Sequence, residues 1–113
     1  MNLKVTQHSG TTVLTLQGNL MGGPDATAVN AKLHELVEHG KKHIVVDMSG
    51  VEFMNSSGLG ILIGGASAVR NAGGALRIAG ASEKILTLIK IAKLASVLET
   101  YPTIEAAVAT FKK

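Results

Sequence analysis

A chain of 113 residues, 46% apolar and 17% charged, suits one domain (residues 1–113) with its own core, and its composition is that of a globular and not a disordered chain. It has no cysteine, which excludes disulfides and thiolate metal sites and is compatible with a reducing compartment. The net charge of +3 is spread over scattered lysines, with pairs only at Lys41-Lys42 and Lys112-Lys113, and aromatics are 3% of the chain, so a nucleic-acid-binding face is not expected.

The first elements read as a hairpin. Leu3, Val5 and Gln7 alternate with polar residues, Ser9-Gly10 offers a turn, and Val13 to Leu16 returns as a second extended run. Gln17 to Gly23 is a flexible connection. Pro24 then suits a first helical position, where its missing N–H has no helical partner anyway. Ala26, Val29, Leu33, Leu36 and Val37 recur at helical spacing, and Gly40 is a natural stop.

Ile44-Val45-Val46 is apolar on consecutive positions, as expected of a central parallel strand covered on both faces. Asp47 to Asn55 is then expected as a loop with two apolar anchors. A second helix opens at Ser56 or Ser57, buries Leu59, Leu62, Ile63, Ala66 and Val69, and ends at Gly73-Gly74. Ala75 to Ala79 is a short strand. Ser82 caps a third helix with Ile85, Leu86 and Ile89 inward. Leu94 to Leu98 is compatible with a short edge strand, and Pro102-Thr103 starts a last helix that buries Ile104, Ala107, Val108 and Phe111. The fold class is therefore α/β, a mixed β-sheet of four to five strands packed against about four helices.

The longest apolar stretch, Gly58 to Val69, holds four glycines and a serine, and is too short and broken to insert in a membrane. The start, Met1 to Val5, lacks the apolar segment of a secretory signal, so a cytoplasmic location is expected.

The stretch with chemistry in it runs from Asp47 to Gly60: a strand end, a loop, then two hydroxyls at the mouth of a helix. Unpaired N–H groups and a partial positive charge make a helix start hospitable to phosphate. A serine there is also an ordinary cap, and position alone does not separate the two roles.

The same stretch resembles the signature of STAS domains, named for sulfate transporters and anti-sigma-factor antagonists. That signature has an acidic residue at a strand end, matched by Asp47, and a Ser-Ser/Thr-Gly-Leu-Gly run opening a helix, matched by Ser56-Ser57-Gly58-Leu59-Gly60. Gly73-Gly74 and Tyr101 to Ala107 are also similar to the family, so the likeness spans nearly the whole chain at the size of a free-standing antagonist.

The resemblance implies a STAS-like fold and an anti-sigma-factor antagonist, a partner-switching protein in transcription regulation that is not itself an enzyme. It would bind an anti-sigma-factor serine kinase of the histidine-kinase-like ATPase fold and so release a sigma factor. Phosphorylation on Ser56 would end the contact, and a PP2C-type phosphatase would restore it. Asp47, Asn55, Ser56, Ser57, Gly58 and Leu59 are the implied partner-binding residues. No metal, cofactor or nucleic acid is expected, and such domains commonly work as monomers. The departure is Asn55, where the family usually has Asp, and it keeps open a non-phosphorylated STAS subunit of a transport complex or signalling scaffold.

Three other patterns lead elsewhere and fall short. Gly58, Gly60 and Gly64 approach a dinucleotide fingerprint, but the third glycine comes one residue late and no acidic residue follows at the required distance. His34-Glu35-Leu36-Val37-Glu38-His39 places its histidines five apart, about 140° around a helix, so they cannot share one zinc. The Gly-x-Ser-x-Gly elbow of a hydrolase is absent.

Overall fold

The structure, a computed structural model, describes residues 1–94 and 97–111. The elements are β1 (Asn2–His8), β2 (Thr11–Gln17), α1 (Pro24–Glu38), β3 (His43–Gly50), α2 (Ser56–Asn71), β4 (Ala75–Ala79), α3 (Glu83–Ile91), β5 (Thr100–Tyr101) and α4 (Ile104–Ala109). They form a five-stranded sheet in sequential order, β1-β2-β3-β4-β5. The first pair is antiparallel and the rest are parallel, so the sheet is mixed as the hairpin and the alternating units require.

The β1–β2 turn is tight because Ser9 and Gly10 both adopt positive φ, 51° and 84°, which matches the twist of a two-residue hairpin. Gly40 ends α1 at φ 78°, a conformation in which a Cβ would be strained.

The sheet separates two apolar layers. Leu14, Leu16, Ile44, Val46, Met48, Leu76 and Ile78 face the side of α1, α2 and α3, where they join Val29, Leu33, Leu62, Val69 and Ile85. Val13, Val45 and Ala79 face the other side, covered by Ala107 and Val108 of α4. Cover on both faces is why Ile44-Val45-Val46 lacks polar alternation.

Two expectations about the chain path change. The segment after Val46 is not yet loop: β3 continues to Gly50, with Asp47 and Gly50 paired to Thr15 and Gln17 of β2. The inward alternation of Ile44, Val46 and Met48 carries on, and Asp47 is tolerated because its carboxylate has partners. The edge strand is Thr100–Tyr101 and not Leu94 to Leu98. Of that stretch, Ala95 and Ser96 lie outside the described residues, as do Lys112 and Lys113, and Val97 sits in a turn.

Candidate functional site

The site forms where β3 ends and α2 begins. Val51 is buried and its N–H donates to the Met48 carbonyl at 3.0 Å, while Phe53 stands 49% exposed. Lys84 of α3 lies over the Phe53 ring, with its ammonium 5.2 Å from the centroid, within reach of a cation–π contact.

Asn55 is the N-cap of α2. Its backbone is extended, its Oδ1 accepts the Gly58 N–H at 2.9 Å, and the first helical bond runs from the Leu59 N–H to the Asn55 carbonyl at 2.9 Å. The serines are therefore not the cap. Ser56 and Ser57 are the first two helical residues, both exposed, and neither side chain makes a hydrogen bond among the described residues. Their backbone N–H groups precede the first intrahelical bond and remain available. Gly58 and Leu59 are buried behind them.

The β2–α1 loop closes the site from the side. The Leu20 N–H donates to the Phe53 carbonyl at 2.9 Å, Leu20 pairs with Met54 as an isolated bridge, and the Leu20 side chain is fully buried. Asn55 Nδ2 donates to the Met21 carbonyl at 3.0 Å. Gly58 abuts the Leu20 carbonyl so closely that a Cβ there would overlap it. A Cβ on Gly22 would stand 3.0 Å from that of Ser57. Met21 itself is 47% exposed.

Asp47 belongs to the other side of the sheet. It alternates with Val46 and Met48, so its carboxylate points toward the α4 layer and not toward α2. It is 7% exposed, accepts the Ser49 N–H at 3.0 Å and is 3.4 Å from the Thr15 hydroxyl that donates to it. Asp47 thus shapes the strand end that leads to the site, while Asn55, Ser56, Ser57, Gly58 and Leu59 come together at the helix start. Reasoning from sequence missed Met21 and Leu20, because loop residues more than thirty positions before Asn55 carry no local signal for the contact.

The glycines of α2 do different jobs. Gly58 and Gly65 are packed, the latter against Leu33 Cδ1, while Gly60 and Gly64 face open space. None forms a phosphate cradle with a following acidic strand end. Among the described residues no group of three His, Asp or Glu side chains is placed to hold a metal, and no helix is long and apolar enough to cross a membrane.

Residues 2–107 match the STAS domain family. The chain is 30% identical to the anti-sigma-B factor antagonist of Bacillus subtilis over 87 residues, covering 74% of this chain and 79% of that protein. It is 25% identical to the anti-sigma F factor antagonist of Paenibacillus polymyxa over 104 residues, 89% of this chain and 88% of the relative. In fold it resembles an anti-sigma factor antagonist from Mycobacterium paratuberculosis, with a TM-score of 0.85 at 23% identity, covering 99% and 94% of the two chains. It also resembles the Bacillus cell fate determinant SpoIIAA in its phosphorylated form, with a TM-score of 0.75 at 19% identity, covering 98% and 100%.

Proposed function

The chain belongs to the STAS domain family, and within it we propose that this protein is an anti-sigma-factor antagonist switched by phosphorylation on Ser56. Unphosphorylated, it binds a serine-kinase anti-sigma factor and releases a sigma factor. The kinase then transfers phosphate from ATP to the Ser56 hydroxyl, the contact ends, and a PP2C-type phosphatase restores it. The protein performs this in the cytoplasm, catalyses nothing itself and requires no cofactor.

The observation that carries the reading is the position of Ser56. It is exposed at the first turn of a helix whose cap is already supplied by Asn55, so its hydroxyl is not committed to holding the fold. Phosphate adds a charge of about −1.5 to −2 at neutral pH. At a helix start that charge suits the backbone, but in a close-packed interface it must find donors or lose its solvation at a cost of several kcal/mol. Each 1.4 kcal/mol is about tenfold in affinity, so one phosphate suffices to release a partner without refolding the domain. The exposed side chains of Met21 and Phe53, on the two segments that meet at Asn55, supply apolar surface for that partner.

The test is intact mass after incubation with ATP and each candidate serine kinase of the same genome. One phosphate gained by wild type and Ser57→Ala, but not by Ser56→Ala, is expected. No phosphate from any candidate would instead favour a constitutive STAS subunit of a transport or scaffold complex.

A further inference from the structure

The Asn55 side chain does two things at once. Its Oδ1 caps α2 through Gly58, and its Nδ2 donates to the Met21 carbonyl on a loop from another part of the chain. An ionised carboxylate could do the first and not the second, because it has no donor and would face the Met21 carbonyl with like polarity. We propose that Asn55 is the positioning residue that holds Met21 in the partner-binding surface, through a neutral bracket that a carboxylate in the same place cannot make. The proposal deepens the reading of that surface given above and rests on it.

The loop needs this bracket because of its own composition. Leu20 is fixed at one end by its buried side chain and its bond to Phe53. Gly22 and Gly23 follow at φ 94° and 61°, with no Cβ to restrict them. The next ties are at Gly23, whose carbonyl accepts the Thr27 N–H at 3.1 Å and the exposed Thr27 hydroxyl at 3.3 Å at the start of α1. Between Leu20 and α1, the Asn55 amide is the side-chain contact that sets where Met21 stands. Met21 is half-exposed, so its position contributes little to the core and much to the shape a partner meets.

Asn55→Asp and Asn55→Ser separate the two roles, since both cap helices well, ionised Asp has no donor, and the Ser hydroxyl is too short to span to the Met21 carbonyl as the amide does. Asn55→Ser does so without adding charge. Two quantities are read: backbone order parameters of Met21–Gly23 by NMR on the free chain, and affinity for the histidine-kinase-like anti-sigma factor of the same genome. Both variants are expected to melt only a few degrees below wild type, the cost of one exposed hydrogen bond with the cap kept. Their Met21–Gly23 order parameters should fall from about 0.85, typical of rigid backbone, to below about 0.6. Their affinity for the kinase should drop about tenfold, in line with the loss of one hydrogen bond and the ordering it provided. Asn55→Ala, which also removes the cap, should lower the melting temperature further.

Order parameters that stay high in both Asp and Ser variants overturn the bracket. A loosened loop with unchanged affinity overturns its role in recognition. If the loop loosens but wild type binds no such kinase, the partner reading itself fails and takes the recognition role with it. The free-chain measurement keeps that outcome distinct from a failed bracket.

Discussion

Changing Gly58 to alanine tests whether the α2 glycines are there for packing. In an open helical position this change is stabilising by roughly 0.5–1 kcal/mol, since alanine loses less backbone freedom on folding. At Gly58 the new Cβ would overlap the Leu20 carbonyl oxygen and stand 2.9 Å from both the Leu20 carbonyl carbon and Met54 Cγ. The Met54 side chain can swing away, but the Leu20 backbone is held by its bond to Phe53 and its buried side chain. Overpacking of this kind costs about 1–3 kcal/mol, so after the helix gain a net loss of about 1 kcal/mol is expected, or roughly 5 °C in Tm for a chain of this size. Gly64→Ala is the control in the same helix: nothing lies within 4 Å of its Cβ, and it should gain about 0.5–1 kcal/mol. Urea unfolding of the three proteins measures both, with equal m-values required before midpoints are compared. A Gly58→Ala protein as stable as wild type would refute the packing argument, because the loop would then have yielded freely.

Two further outcomes follow from side-chain geometry. Asp47→Ala should cost about 1–3 kcal/mol, since it leaves the Ser49 N–H and the Thr15 hydroxyl without their buried acceptor, and Asp47→Asn should cost less; chemical denaturation of both ranks them. Lys32 holds the exposed Glu35 carboxyl below its ordinary range, first through a hydrogen bond of 2.7 Å and then through its charge. A lowered carboxyl favours the folded state above the unfolded pKa, and that contribution disappears as pH falls through the folded value. NMR titration should show the Glu35 midpoint returning upward in Lys32→Ala, with little effect on stability because the pair is solvated.

Much of this architecture is legible in the chain because local signals agree. Pro24 and Gly40 bracket α1, Ser82 caps α3 as expected, with the Ile85 N–H 3.4 Å away, and Thr103 caps α4 through the Ala106 N–H at 3.0 Å. The misreadings occur where a distant partner decides. Asp47 looks like the first loop residue until Thr15, thirty-two positions earlier, shares its carboxylate and lets the strand run on to Gly50. The opening of α2 at Ser56 is as expected, and the cap that position alone left open falls to Asn55, one residue ahead. Thr100–Tyr101 is too short to announce itself by alternation. It is a strand only because it lies beside Ile78 and Ala79.

The neutral cap bears on how the proposed switch would work. The first turn of α2 contains no acidic residue, so a phosphate on Ser56 would face the free N–H groups and positive end of the helix with no carboxylate in that turn to oppose it. The dianion is then compatible with the fold and exerts its effect outside it. The Asn55 bracket is built from an amide and a carbonyl, and neither changes protonation when the phosphate arrives. Met21, Phe53 and the helix start can therefore keep the same positions in both states. Under the proposed switch a partner would meet one fixed shape carrying either a hydroxyl or a dianion, and the energy separating the two states would be the desolvation of that charge against apolar surface.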